Sequence, residues 1–362
     1  MFSLRTRADR VRKMLELTRT DACVVKSFEN RRYLTDLPTS AGLVVVTKMG
    51  NCYVIVDDRY EEVARKELAW QGFIIRVVLN KHNYMDVMND IVQSDKISTM
   101  LIESDIISHE EYLDFERAMY AKVMPLKSQL AKVRACKDLK ELENVKTAQR
   151  ISEKTFDELL EYIKPGMSEK QVQTKIVQSL LENGSDLDKF HICCVSGSNS
   201  SMVHGRATDK IIEKGDPLLL DFGATYNGYK CSMSRTICVG KPSEEFEKAY
   251  NVVKNANLLG AKYIKNGISG KVADEQIRSY IEQMGYGPNF LHASAHGIGL
   301  KYNELPAISP SSKDTLSVGN VIAMEPGVYF KGQFGVRIGD LFYIGEKYTE
   351  NLTRAPKELI IL

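Results

Sequence analysis

Short apolar runs alternate with helical spacing along the first part of the chain. Four runs rich in β-branched residues predict buried strands: DACVVKS, AGLVVVTK, CYVIVDD and FIIRVVL. Segments with apolar positions three and four residues apart predict helices around them: RADRVRKMLELTR, MDVMNDIVQ and HEEYLDFERAMY. This alternation predicts an α/β domain with a central sheet over residues 1–125.

A long charged helical pattern follows, from residue 128 to Pro165-Gly166, where Pro and Gly end it. We take the beginning of this segment as the domain connection. The second domain then covers residues 126–362.

The second domain contains an internal repeat. IKPGMSEKQVQTKIVQSLLENG (163–184) is echoed by IKNGISGKVADEQIRSYIEQMG (264–285), and each copy predicts a helix end, a Gly turn and a second amphipathic helix. In the first copy, Ser168 and Gln171 have the spacing of a capping box.

The repeat continues into two strand-like segments that end in a carboxylate. Gly215 precedes Asp221 by six residues, and Gly319 precedes Glu325 by six. We therefore predict an α+β chain whose second domain packs two copies about a pseudo-two-fold axis, with a curved antiparallel sheet inside and helices outside. Asp221 and Glu325 are then expected to face each other.

A hairpin is predicted around Asn227-Gly228, because a two-residue type I′ turn needs positive φ at both positions. Such a turn pairs 226 with 229 and 221 with 234. Side-chain alternation then places Asp221, Ser232 and Ser234 on one face of the hairpin.

Composition excludes several classes of protein. The 49 basic and 47 acidic residues leave a formal charge of +2 and are spread along the chain, so no nucleic-acid face is expected. No signal core and no run of about 18 apolar residues is present, which predicts a cytoplasmic protein with no membrane partner. Seven cysteines without regular spacing predict reduced thiols rather than a disulfide framework.

Six motifs in register carry a family resemblance: SMVHGRATDKIIEKGD, LDFGATYNGY, SRTICVG, AHGIGL, MEPGVY and GVRIGDL. They resemble the catalytic domain of the methionine aminopeptidase/creatinase family, which has the pita-bread fold, and most closely its prolidase and aminopeptidase P branch. ENRRYLTDL and VIVDDRYEEVARKEL resemble the amino-terminal domain of Xaa-Pro peptidases. The resemblance implies a homodimer.

The family holds two divalent metals with two Asp, one His and two Glu. By resemblance, Asp221, His296 and Glu325 occupy three of these positions. Ser232 and Gly339 stand at the other two, where the family has carboxylates that bridge both metals.

Neighbouring residues do not replace the missing carboxylates. Asp340 and Cys231 are adjacent to the two positions, but strand alternation points them to the opposite face. Asn303 stands where the family usually has a further His. We therefore expect loss of the dinuclear centre and no cofactor, or at most one weakly bound divalent metal.

Five residues remain as candidates for the site. The resemblance places His204 where prolidase-like enzymes have a substrate-facing His, and we assign catalysis to His204 and Glu325. Arg337 shares strand parity with residue 339, so we assign substrate binding to Arg337, His296 and Asp221. The alternative for His204 is a structural, hydrogen-bonding role. The alternative for Arg337 is that it only neutralises the charges of Asp221 and Glu325.

Three functions stay open. The first is a prolidase-related hydrolase that cleaves a C–N bond of a small polar substrate without metal, as creatinase does, with His204 moving the proton. The second is a metal-dependent Xaa-Pro dipeptidase with an atypical site. In these two cases the partner is a small-molecule or dipeptide-like substrate. The third is a non-catalytic protein that uses the same fold to bind peptides, nucleic acid or other proteins, although the absence of a basic patch speaks against nucleic acid.

Overall fold

The chain forms two compact units, Met1–Arg134 and Ala135–Leu362. The structure is a computed structural model that describes residues 4–78, 84–189 and 191–362.

The first unit is built on a mixed six-stranded sheet in the order β4-β3-β2-β1-β5-β6. Its strands are β1 (Ala22–Val25), β2 (Leu43–Thr47), β3 (Cys52–Asp57), β4 (Ile74–Val78), β5 (Thr99–Ile102) and β6 (Lys122–Pro125). Its helices are α1 (Leu4–Thr18), α2 (Phe28–Thr35), α3 (Asp58–Leu68), α4 (Tyr84–Ser94), α5 (His109–Ala118) and α6 (Gln129–Ala135), with a 3-10 turn at Ala69–Gln71.

The buried strands explain the continuous apolar runs of the first unit. Every residue of β1, β2 and β3 is buried, so these strands lack the polar alternation of a half-exposed sheet. The four runs chosen from the sequence are β1 to β4. The α/β arrangement of this region is therefore confirmed, and β5 and β6 complete the sheet.

Helices of the second unit reproduce the internal repeat. They are α7 (Leu139–Tyr162), α8 (Glu169–Glu182), α9 (Glu244–Gly260) and α10 (Gly270–Gln283), with 3-10 turns at Gly197–Ser201 and Gly287–Asn289. The equivalent helices α8 and α10 both have 14 residues, and Ser168 and Ser269 cap them. The predicted capping box between Ser168 and Gln171 is present.

The strands of the second unit form antiparallel sheets. They are β7 (Ile192–Ser196), β8 (Asp216–Phe222), β9 (Thr225–Tyr226), β10 (Tyr229–Lys230), β11 (Met233–Val239), β12 (Ala295–Gly297), β13 (Glu304–Ile308), β14 (Val321–Met324), β15 (Gly327–Phe330), β16 (Phe334–Arg337), β17 (Asp340–Ile344) and β18 (Thr349–Asn351). Three strands follow the order β11-β8-β7 and five the order β13-β12-β14-β17-β18. The predicted α+β architecture is confirmed.

The hairpin has the predicted register. Asn227 and Gly228 have φ of 48° and 78°, which are the positive values that the turn requires. Tyr226 pairs with Tyr229 in the short ladder β9–β10, and Asp221 pairs with Ser234 in the ladder β8–β11 in the same register. A bridge between Ser234 and Gly339 then joins the three-stranded sheet to the segment between β16 and β17.

In the described part of the chain, no helix has the length and apolarity needed to cross a membrane. All seven cysteines are in described residues, and no disulfide joins them. The prediction of reduced thiols is confirmed.

Candidate functional site

A cavity of about 360 Å³ lies within the second unit, between the two copies of the repeat. The side chains at its wall include His191, His204, His292, His296, Asp221, Glu325 and Arg337. The structure thus brings together the five residues that the sequence put forward and adds two histidines. Both copies contribute, since Asp221 is on β8 and Glu325 follows β14.

Asp221 and Arg337 form a buried ion pair at one side of the cavity. Asp221 is 1% exposed and Arg337 is 4% exposed. Arg337 donates to Asp221 Oδ2, whereas Asp221 Oδ1 is buried without a hydrogen-bond partner among the described residues. Burial raises the pKa of Asp221 above its ordinary value, although the guanidinium of Arg337 acts in the opposite direction.

Arg337 also begins a chain of hydrogen bonds. Its Nε donates to the hydroxyl of Tyr329 at 2.7 Å, and that hydroxyl lies 2.9 Å from Nε2 of His292. Nδ1 of His292 lies 2.8 Å from the carbonyl oxygen of Ala293, which can only accept, so Nδ1 carries the proton and Nε2 accepts from Tyr329. Burial, together with the charge of Arg337, lowers the pKa of His292 to about 4. His292 is therefore neutral at neutral pH.

His296 and Glu325 form the second charged pair. His296 Nε2 lies 3.4 Å from Glu325 Oε1, and Nδ1 donates to the carbonyl of Gly297 at 2.9 Å. Burial lowers the pKa of His296, but the carboxylate of Glu325 outweighs it and the net shift is upward. For Glu325, burial acts to raise the pKa, yet His296 and Arg337 bring it down to about 2. Glu325 is thus ionised throughout the physiological range.

His204 lies on a loop that a buried carboxylate holds in place. Glu169, fully buried at the beginning of α8, accepts hydrogen bonds from the backbone and hydroxyl of Ser196, from the amide of Asn199 and from the backbone and hydroxyl of Thr208. Arg337 also donates to the carbonyl of Val203, next to His204. The exposed imidazole therefore stands on a loop that is fixed on both sides.

Ser232 does not face an acid but a tyrosine. Its Oγ lies 2.7 Å from the hydroxyl of Tyr302. The ring of Tyr302 also packs edge-on against His191, with ring centroids 4.4 Å apart. The sequence analysis missed Tyr302 and His191. Tyr302 is adjacent to Asn303, which also lines the cavity, and this proximity was the available signal.

Gly339 approaches the neighbouring strand too closely for a side chain. A Cβ at this position would lie 2.8 Å from Ser234 Oγ and 3.1 Å from Ser234 Cβ. The side chains of Asp340 and Cys231, the residues adjacent to Gly339 and Ser232, point away from the cavity, as strand alternation predicted. Asp340 pairs with Arg235 at 2.8 Å, and the Sγ of Cys231 lies 3.1 Å from the hydroxyl of Ser152.

Asp221 and Glu325, the acidic side chains at the cavity, are each paired with a basic side chain in this structure. Among the described residues, no three His, Cys, Asp and Glu side chains are grouped so as to hold a metal ion. Asp221 faces a guanidinium, and the positions of Ser232 and Gly339 supply no carboxylate.

Comparison with known proteins identifies relatives of both units. Residues 143–346 match the model of metallopeptidase family M24, and residues 7–136 match that of the creatinase/prolidase N-terminal domain. An uncharacterized peptidase of Bacillus subtilis is 34% identical over 98% of this chain and 99% of its own length. A Xaa-Pro dipeptidase of Pyrococcus furiosus is 32% identical over 86% of this chain and 90% of its own.

Solved structures agree with these relatives. A Xaa-Pro dipeptidase from Bacillus anthracis has a TM-score of 0.94 at 34% identity and covers 99% of this chain and all of its own. An X-Pro aminopeptidase from Thermotoga maritima has a TM-score of 0.87 at 30% identity, covering 98% of this chain and 99% of its own. The predicted resemblance to the prolidase branch is confirmed.

The expectation of no cofactor, or at most one weakly bound divalent metal, is wrong. The match over residues 143–346 is to a family of metallopeptidases, for which a divalent metal is the expected cofactor. The error came from counting side-chain carboxylates at Ser232 and Gly339. Divalent ions also take water, backbone carbonyl and substrate oxygen atoms as ligands, so a missing carboxylate does not exclude a metal.

Proposed function

Because the chain belongs to metallopeptidase family M24, we propose that it hydrolyses the amide C–N bond of a small, dipeptide-like substrate of the Xaa-Pro class. The observation that carries this proposal is the convergence of His204, His296, Glu325, Asp221 and Arg337 on one cavity. Its volume of about 360 Å³ suits a small peptide or a molecule of that size.

His204 is the proton-transfer group in this proposal. It is exposed at the cavity wall, on a loop that Glu169 and Arg337 hold from two directions. Imidazole exchanges protons near neutral pH, and a fixed position within reach of the scissile bond makes that exchange effective. A water molecule would attack the amide carbonyl carbon and lose a proton to His204, and His204 would give that proton to the nitrogen as the C–N bond breaks.

The buried pairs bind and orient the substrate. Glu325 stays ionised, so it stabilises positive charge on His296 and on an amine that forms beside it. Arg337 donates one N–H to each of three acceptors: the hydroxyl of Tyr329, the carboxylate of Asp221 and the carbonyl of Val203. A guanidinium has five N–H donors, and we assign the other two to a carboxylate or carbonyl of the substrate.

The test is hydrolysis of Ala-Pro, Leu-Pro and Met-Pro, with Ala-Leu as the control dipeptide and released amino acids measured by mass spectrometry. Each assay is run on chelator-treated protein and again after Mn²⁺, Co²⁺ or Zn²⁺ is added. We expect cleavage of the proline dipeptides in at least one condition, and a loss of about 10²–10⁴-fold in His204→Gln. His109→Gln, which changes an exposed His of the first unit, should keep full activity.

Two results would overturn the proposal. One is the absence of turnover in every condition by a protein whose melting curve is cooperative. The other is unchanged kcat/KM in His204→Gln, since a proton-transfer group cannot be removed without cost.

A second candidate function is dipeptide binding without turnover. The two ion pairs of the cavity support it, because Asp221 and Glu325 are already engaged by Arg337 and His296. Calorimetry with Leu-Pro separates the two functions: binding without released proline favours the second.

A homodimer and a cytoplasmic location also stay predictions. Light scattering during size exclusion measures the oligomeric state.

A further inference from the structure

A second cavity, of about 580 Å³, lies wholly within the amino-terminal unit. Its wall is partly apolar, with Leu43, Met85 and Phe115, and partly polar, with Arg31 and Tyr84. None of these residues takes part in the site around His204, so this cavity needs its own explanation.

Arg31 is a buried cation without an acidic partner. It lies on α2 and is 6% exposed. Its terminal nitrogens donate to the backbone carbonyls of Lys26 and Thr39, and its Nε has no acceptor among the described residues. No carboxylate of the described chain lies within 4.0 Å of it, and residues 1–3, 79–83 and 190 include no Asp or Glu.

Three other buried arginines of this chain are paired with acids. Arg7, Arg235 and Arg337 are all at most 4% exposed. Each contacts a carboxylate, in the pairs Arg7–Asp36, Arg235–Asp340 and Arg337–Asp221. A buried charge without a contacting counter-ion is costly, so Arg31 differs from these three. A further buried arginine, Arg134, donates to the amide oxygen of Asn30.

Arg31 is not compensated by the acids in the cavity wall. Glu111 forms an ion pair with Lys26, and Asp114 has Arg117 as its neighbour at 3.8 Å. Burial lowers the pKa of Arg31, although the negative charge of Glu103 acts in the opposite direction. Glu103 does not contact Arg31 and accepts hydrogen bonds from Ser27 and Asn30 instead. The hydroxyl of Tyr84 is also buried without a hydrogen-bond partner among the described residues.

We propose that this cavity binds a small molecule with one carboxylate on an apolar body, and that the carboxylate lies against Arg31. Guanidinium and carboxylate match in charge and in planar geometry, so such a ligand supplies the missing counter-ion. The apolar body then contacts Leu43, Met85 and Phe115, and it removes from water its own surface and the exposed part of Met85. The carboxylate comes from a free organic acid or from the carboxyl end of a peptide.

Calorimetry on the full chain tests the proposal with 3-phenylpropionate and its uncharged analogue 3-phenylpropionamide. We expect the carboxylate to bind at least tenfold more tightly than the amide, and Arg31→Gln to lose at least tenfold in affinity for the carboxylate. Arg65→Gln is the matched control, because Arg65 is an exposed arginine of α3 that pairs with Glu61 and does not line the cavity. It should bind as the unchanged protein does.

Two further variants and one further ligand make the outcome decisive. Arg31→Lys keeps the positive charge and should retain part of the affinity, and melting curves show that each variant is folded. Tighter binding of N-acetyl-Leu-Phe than of 3-phenylpropionate identifies a peptide end as the ligand, and the reverse identifies a free acid. Equal binding of carboxylate and amide, unchanged binding in folded Arg31→Gln, or no binding of any probe at 10 mM would each overturn the proposal.

Discussion

The hydroxyl groups of Ser232 and Tyr302 lie 2.7 Å apart across 70 residues of sequence. Ser232 is 3% exposed, so its hydroxyl depends on this partner for a hydrogen bond. The contact ties the hairpin of the first copy to the loop that follows β12 in the second. Ser232, which the sequence analysis places by resemblance at a metal-ligand position, therefore has a structural role in this chain.

Tyr302→Phe should lower the free energy of unfolding by about 1–3 kcal/mol, because it leaves the buried hydroxyl of Ser232 without a partner. Ser232→Ala in the same background should recover part of that loss. Urea unfolding of both single variants and the double variant gives the coupling energy. Tyr348→Phe, which changes an exposed tyrosine, is the control. Strict additivity of the two losses would show that the contact contributes nothing.

Gly339→Ala should destabilise the protein by about 1–3 kcal/mol, since its Cβ would overlap Ser234 Oγ in a closely packed region. Ser234→Ala removes the nearest of the conflicting atoms and should recover part of the stability in the double variant. Gly332→Ala is a contrast: no atom lies within 4 Å of its added Cβ, although its φ of 74° is itself unfavourable for alanine. Thermal unfolding measures all four proteins. An undiminished melting temperature in Gly339→Ala would contradict the packing argument.

Glu169→Gln should loosen the loop that carries His204. The variant places an amide N–H opposite backbone and hydroxyl donors of Ser196 and Thr208, and so it replaces charge-assisted hydrogen bonds by a donor–donor conflict. Hydrogen exchange followed by mass spectrometry should show faster exchange in residues 196–208. Exchange in α10, the equivalent helix of the second copy, should stay the same. If the reaction proposed above is correct, kcat falls more than KM rises, because His204 is displaced while the binding pairs remain.

Stability should fall on acidification through His292. Its pKa is about 4 in the folded protein, whereas an exposed histidine has about 6.5. The unfolded chain therefore binds the extra proton first, so the contribution is complete above pH 6.5 and is lost as the pH falls towards 4. Between pH 7 and 4.5 this loss amounts to about 2–3 kcal/mol. Urea unfolding at both pH values should show a smaller decrease for His292→Gln than for the unchanged protein, with His109→Gln behaving like the latter.

Local signals in the sequence were sufficient to predict the hairpin and the repeat. The turn at Asn227-Gly228 has its own conformational requirement, so the pairing of Asp221 with Ser234 follows from counting residues. The capping box at Ser168 is equally local. These features depend on neighbours within a few residues and need no knowledge of packing.

Contacts between distant segments could not be predicted in this way. Tyr302 reaches Ser232 only because the two copies come together. His292 reaches Tyr329 only because segments 37 residues apart pack against each other within the second copy. Burial of Arg31 without an acid also depends on the packing of the whole first unit. The expectation about the cofactor failed for a related reason, because it inferred a property of the assembled site from the residues at Ser232 and Gly339 alone.

The division of the cavity between the two copies of the repeat has a consequence for how the site assembles. Asp221 and His204 come from the first copy, and Glu325 and His296 come from the second. Neither copy alone carries both carboxylates, so the charged wall is complete only when both copies are folded and packed together. A fragment that contains one copy would present only one half of that wall.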